Sequence, residues 1–245
     1  MRPIAGGVCS ICGERLVSPF AFSAHSNHSN PDEGGAEATE PRCGLCRRLE
    51  PPYVKATAYG SYESGLRELI HLLKYHQVRP AAGILGRMLA EAVEDLQPLF
   101  ESREILVVPV PLHSRKLRQR GFNQSELIAR SALKKQSAGL VLNAGVLRRC
   151  RETQSQIGLS RHQRRENIRG AFAVVKPDEV SGREILVVDD VFTTGTTVSE
   201  CARILRRAGA SKVYVATVAR TLKAEGQRAL QILQTEAPLT MAAAG

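Results

Sequence analysis

The stretch from Glu184 to Thr197, E-I-L-V-V-D-D-V-F-T-T-G-T-T, limits the possible folds more than any other part of the chain. Ile185 to Val188 is an unbroken aliphatic run, mostly β-branched. Such a run predicts a strand buried on both faces of a parallel sheet. Asp189 and Asp190 follow at once. Thr193, Thr194, Gly195, Thr196 and Thr197 then lead into a helical pattern with Val198, Cys201, Ala202 and Leu205 on one face. Small residues let backbone N–H groups converge on an anion, and a helix N-terminus adds free donors and a positive dipole end. Threonine hydroxyls add further donors, and two adjacent carboxylates are acceptors suited to a vicinal diol. One such loop can hold a ribose by its hydroxyls and a 5′-phosphate by its donors. It would lie outside the C-terminal strand ends, where open α/β sheets bind ligands. Thr-Thr-Gly alone would read as an ordinary strand-to-helix turn; the acidic pair on the aliphatic run sets this one apart.

These residues resemble the phosphoribosyl-diphosphate signature of type I phosphoribosyltransferases. The resemblance implies that Asp189 and Asp190 take the ribose hydroxyls as catalytic residues. It places Thr193, Thr194, Gly195, Thr196 and Thr197 on the 5′-phosphate. It also implies Mg2+, held largely by the diphosphate of the ligand.

A chain of 245 residues suits one α/β domain with a small appendage. No apolar stretch is long enough for a membrane span, and the N-terminus lacks a signal-peptide layout. A cytoplasmic protein without membrane insertion is therefore expected. The net charge of +10 favours anionic partners, phosphates or nucleic acid, without choosing between them. Aromatic residues make up only 4% and Trp is absent, so base-stacking platforms have little material.

Six cysteines are present, four of them in C-x-x-C pairs: Cys9 with Cys12, and Cys43 with Cys46. Two intervening residues let both thiolates of a pair turn onto one tetrahedral ion, and Gly13 and Gly44 relieve the turns. The pattern reads as a structural Zn2+ site with a closed thiolate shell, ahead of thiol redox chemistry. The spacer from Ser23 to Glu40 is long and polar and reads as a loop, with His25 and His28 as solvated residues. Cys150 and Cys201 have no partner at suitable spacing.

Leu66, Leu69, Ile70 and Leu73 recur with helical period up to Lys74-Tyr75-His76. Lys74 can meet a phosphate there, although a solvated lysine at a helix C-terminus is the plainer reading. After Pro80, the run from Ile84 to Leu96 is amphipathic. Ile105 to Val108 is a second aliphatic strand, ending at Pro109-Val110-Pro111. A cationic turn follows with Arg115, Lys116, Arg118 and Arg120. A helix then starts near Asn123, a plausible N-cap. Beside the first turn, this one would receive a diphosphate, with Val110, Pro111, Arg115 and Arg120 as its binding residues; by itself it is also a solvated basic loop.

V-P-V-P-L-H-x-R-K-L-R-Q-R-G-F-N-Q resembles the hallmark stretch of the ComF/GntX family, which is associated with competence for DNA uptake. The C-x-x-C pairs fit the same pattern. So do Leu147-Arg148-Arg149-x-Arg151-x-Thr153-x-x-Gln156-x-x-Leu159 and Arg165-x-Asn167-x-x-Gly170-Ala171-Phe172. The match runs from about Cys9 to Arg220. The resemblance implies an α/β type I phosphoribosyltransferase fold, a parallel sheet flanked by helices, with a small N-terminal zinc ribbon built on four cysteines. The expected division is a zinc-ribbon module with a long polar insert over 1–52, the phosphoribosyltransferase-like domain over 53–220, and a C-terminal extension over 221–245. Arg148 to Arg169 is polar and arginine-rich. It reads as the least stable part of the domain, a flexible loop over the site, an exposed basic hairpin, or a contact for nucleic-acid phosphates.

Two functions follow. One is a phosphoribosyltransferase-like protein that binds Mg-phosphoribosyl diphosphate and passes ribose 5-phosphate to a nitrogenous acceptor. The alternative is a competence factor for DNA uptake, with phosphoribosyl diphosphate as regulatory ligand and little or no catalysis. Such a factor would bind single-stranded DNA through backbone contacts and join a DNA-uptake machinery. No general base and no apolar hood for a nucleobase are legible.

Overall fold

A computed structural model describes residues 7–16, 40–134, 139–153 and 160–222. The spacer histidines His25 and His28, motif residues Gln156 and Leu159, and the C-terminal extension from 223 onward lie outside the described residues. The chain runs through α1 (Gly44–Arg48), β1 (Ala56–Ser61), α2 (Ser64–Tyr75), α3 (Ala81–Glu94), β2 (Ile105–Pro109), α4 (Ser114–Arg120) and α5 (Gln124–Leu133). It continues through β3 (Leu140–Leu142), β4 (Leu147–Arg149), α6 (Arg161–Ile168), β5 (Phe172–Val174), β6 (Glu184–Phe192), α7 (Thr196–Arg207) and β7 (Lys212–Arg220). No helix among the described residues is long and apolar enough to cross a membrane.

Five strands form one parallel sheet in the order β1-β7-β6-β2-β3, and β4 and β5 pair antiparallel beside it. Ile185, Leu186, Val187 and Val188 are all buried, as an aliphatic run covered on both faces requires. Leu186 and Val188 join one apolar cluster with Leu73, Leu85, Leu89 and Ile128, from α2, α3 and α5. Ile185 and Val187 join the other, with Val198, Cys201 and Leu205 of α7. Helices α3 and α5 pack closely: a Cβ on Gly86 would stand 2.5 Å from the Cβ of Ser131.

The cysteine knuckles belong to this second face. Cys9, Ile11, Cys12, Cys46 and Tyr53 are buried in the same cluster as Val213 and Val215 of β7. The Ile11 carbonyl accepts from the Ala56 N–H at 2.7 Å, and a buried Arg220 at the end of β7 donates to the Cys12 carbonyl. The knuckles thus cover the sheet beside α7.

Three local readings change. The strand continues beyond Val188 to Phe192, because β7 keeps pairing with it, Asp189 opposite Thr217 and Phe192 opposite Arg220. The two aspartates therefore sit on the strand and not after it. The cationic stretch after Pro111 is a short helix, α4, with the His113 side chain accepting from the Arg115 N–H and left-handed Gly121 ending it. The arginine-rich segment holds β4 and α6, the latter opened by a capping box between Ser160 and Gln163.

Candidate functional site

The two strand-turn-helix units lie side by side. Past the end of β2, the Val110 N–H donates to the Val188 carbonyl at 2.9 Å. Asn123 caps α5 by accepting from the Ser125 N–H at 3.1 Å, and its Nδ2 donates to the Val110 carbonyl at 3.0 Å. Ser125 Oγ then donates to Asp189 Oδ1 at 2.9 Å. The cap of one helix thereby fixes both the proline turn and a carboxylate of the neighbouring strand.

Asp189 and Asp190 are buried. Asp189 Oδ1 also accepts from the Asp190 N–H at 2.9 Å. Asp190 forms an ion pair with Lys74 from the last turn of α2, whose side chain is only 19% exposed. The plainer reading of Lys74 as a solvated helix-end residue is therefore overturned. Burial works against an ionised Asp190, but the charge and hydrogen bond of Lys74 outweigh it and lower the pKa of Asp190. The same partnership raises Lys74 against its own desolvation. Asp189 has the opposite fate: burial first, then the charge of Asp190, push it up to about 7. At neutral pH the pair holds one firmly ionised carboxylate and one that titrates.

The threonine loop follows. Gly195 has φ 74°, and a Cβ there would stand 2.5 Å from the Phe192 ring, so the turn requires glycine. Thr194 and Thr196 share a hydroxyl contact of 2.8 Å, and α7 begins at Thr196 after Gly195, which has no side chain to cap it. Thr193 is exposed, and Thr194, Thr196 and Thr197 are half-buried. The loop presents hydroxyls and helix-end donors together, which suits an anion.

Of the residues expected at the proline turn, Val110 is buried and Pro111 half-buried. Arg120 donates to Gln124 at 2.5 Å and lies over the Tyr75 ring at 5.9 Å. Arg115 points instead to Glu152, 3.4 Å away at an exposed position. Two further cations converge here. Lys116 is lowered by burial and by the charges of Arg149 and Arg120. Arg149 of β4 packs over the Phe172 ring at 5.3 Å and donates to Thr153. Lys74 pairs with Asp190, Arg149 feels the charge of Asp189, and Lys116 feels the charges of Arg149, Arg120 and Lys74.

The four knuckle thiols lie within 4.8 Å of one another. Cys12 and Cys43 have Sγ atoms 3.7 Å apart. A tetrahedral ion with Zn–S bonds of about 2.3 Å places its sulfurs about 3.8 Å apart, so the cluster is compatible with structural zinc. Among the described residues it is the only group of three or more Cys, His, Asp or Glu side chains placed to share an ion.

Burial of Asp189 has a consequence for stability. Its pKa is raised by folding, so its contribution is full below pH 4 and is lost as pH rises toward 7. Asp189→Asn keeps the acceptor for Ser125 without the charge. It is expected to raise Tm at pH 8 by roughly 3–6 °C and to change Tm little at pH 4, by differential scanning calorimetry of ligand-free protein. Equal shifts at both pH values would contradict this account.

A family model described as phosphoribosyl transferase domain matches residues 136–235. DNA utilization protein YhgH of Salmonella typhimurium is 33% identical over 225 residues, which cover 88% of this chain and 91% of that protein. Competence protein F of Haemophilus influenzae is 30% identical over 216 residues, 87% of this chain and 90% of that one. Ribose-phosphate pyrophosphokinase of Pyrococcus abyssi is 34% identical over 96 residues, 37% of this chain and 34% of its own. The first two relatives, by contrast, align with nearly the whole length of this chain. On those two alignments, with the phosphoribosyltransferase domain built on a parallel sheet between layers of helices, the chain belongs to the ComF family.

Proposed function

We propose that the paired loops bind phosphoribosyl diphosphate, with the ribose hydroxyls on Asp189 and Asp190, the 5′-phosphate on Thr193 to Thr197, and the diphosphate toward the proline turn. The observation that carries this reading is the chain of hydrogen bonds from Val110 through Asn123 and Ser125 to Asp189. It holds the acidic pair beside the proline turn, as a ligand spanning both would need. Lys74 occupies the carboxylate that a hydroxyl must reach, so ligand entry exchanges an ammonium for a hydroxyl and leaves the ammonium beside the diphosphate.

Magnesium would arrive with the diphosphate, since no carboxylate cage exists among the described residues, and it would neutralise leaving-group charge. Lys116, Arg120 and Arg149 share that task from the protein side. Preorganised cations that face the leaving diphosphate more strongly than the bound ground state would favour transfer of ribose 5-phosphate to a nitrogen nucleophile. Calorimetric titration of phosphoribosyl diphosphate with magnesium is expected to give micromolar binding. Asp189→Asn with Asp190→Asn should weaken it at least a hundredfold. A folded wild-type protein that gives no heat would refute the reading.

Zinc would be held by Cys9, Cys12, Cys43 and Cys46 as a structural ion. Because these residues share the core with β7, its loss should unfold more than the knuckles. Elemental analysis is expected to find one zinc per chain, and Cys46→Ser to lower Tm by about 10 °C or more. A metal-free protein with the same Tm would remove zinc from the account.

A second reading is favoured by exposed Arg148, Arg165 and Arg169 on β4 and around α6, together with the relatives' names, which refer to DNA utilization and competence. Single-stranded DNA would then bind through its phosphates. Its affinity should fall about tenfold or more between 50 and 200 mM salt. Salt-independent affinity would exclude backbone contacts of this kind.

A further inference from the structure

One side of the threonine loop faces open space. It opens into a cavity of about 610 Å³ between the cysteine knuckles, α6 and α7. Thr193, Thr194 and Thr196 line one end, Tyr53 and Phe192 line the wall, and Arg207 lies at the far end. From Thr196 to Arg207 is eleven residues of helix, roughly 16 Å. A phosphate group displaces a few waters, on the order of 100 Å³. The cavity is thus several times larger than a terminal phosphate needs and falls in the range of pockets that enclose whole ligands. Asp189, Asp190 and the proline turn do not line it. It therefore extends from the phosphate loop away from the diphosphate side.

Its chemistry suits a continuation of the ligand beyond that phosphate. Tyr53 and Phe192, themselves only 7% and 5% exposed, each show a little aromatic surface, and five arginines give donors and charge. Three of those arginines are matched: Arg203 with Glu200, Arg220 with Glu14 and Arg169 with Glu166. Among the described residues Arg165 and Arg207 enter no ion pair, against Glu50 as the one other acid in the lining. Arg220 is 2% exposed, and its Nε is buried with no hydrogen-bond partner, an unmet donor in the cavity wall.

We infer that the threonine loop also takes a phosphate that continues as a phosphodiester. The ligand would be a ribonucleotide joined through its 5′-phosphate to a second nucleoside, which lies in this cavity. The inference rests on the ribose and 5′-phosphate assignment above. Two sources share this chemistry, a free dinucleotide and the 3′ end of a strand.

The test is calorimetry on the intact zinc-loaded protein with phosphoribosyl diphosphate, AMP, adenylyl-(3′→5′)-adenosine and hexa-adenylate. The first checks the underlying site. AMP and the dinucleotide both carry a free diol and a 5′-phosphate and differ in the ester. The dinucleotide is expected to bind at least tenfold tighter than AMP. Arg207→Glu, exposed and two to three turns beyond the loop, should abolish that advantage while phosphoribosyl diphosphate binds as before. Hexa-adenylate binding tighter than the dinucleotide marks a strand end as the source; equal or weaker binding marks the free dinucleotide. If phosphoribosyl diphosphate binds but the dinucleotide gains nothing over AMP, or keeps its gain in Arg207→Glu, this inference fails alone. If folded protein does not bind phosphoribosyl diphosphate, the underlying assignment fails and takes this one with it.

Discussion

The carboxylates of Asp189 and Asp190 are buried side by side on the central strand, and two like charges in a poorly solvated place repel strongly. The surrounding residues answer that repulsion. Lys74 neutralises Asp190 from one helix, and Ser125 bonds Asp189 from the start of another. Removing one member of a buried ion pair typically costs about 3–5 kcal/mol, so α2 is tied to the strand by more than apolar packing. The proposed ligand, whose hydroxyls would donate to both carboxylates, gives a reason to hold so costly a pair. The functional reading follows from that electrostatic arrangement more than from the sheet topology.

The cysteine knuckles contribute to the same place through a short relay. Arg220 ends β7, donates to the Cys12 carbonyl, pairs with Glu14 at 3.0 Å and lies over the Phe192 ring at 4.7 Å. That ring in turn leaves no room for a Cβ at Gly195 in the phosphate loop. The cysteine knuckles and the threonine loop, far apart in sequence, are thus braced by two side chains. The knuckles also complete the apolar layer beside α7.

Much of the fold was legible because its signals are local. An aliphatic run, an acidic pair and a Thr-Gly turn lie within fourteen residues, Glu184 to Thr197, and each reports its own backbone. Asn123 was readable as a cap for the same reason. The partners that complete the site were not readable in this way. Ser125 reaches Asp189 across 64 residues, and a lone serine in a first helical turn gives no sign of it. Lys74 sits where a lysine normally complements a helix dipole, so its burial against Asp190 is a tertiary fact. Strand β6 passes the aspartates only because β7 is long enough to pair with it, which its own composition does not reveal. Arg115 fitted the expected cationic turn by position, yet α4 directs it toward Glu152.

The most direct test of the central claim is a crystal structure of the zinc-loaded protein with phosphoribosyl diphosphate and magnesium. The account requires ribose hydroxyls within hydrogen-bond distance of Asp189 and Asp190, the 5′-phosphate on the Thr193 to Thr197 loop, and Lys74 released from Asp190 toward the diphosphate. Ligand bound elsewhere, with the Lys74–Asp190 pair intact and the threonine loop free, would contradict it.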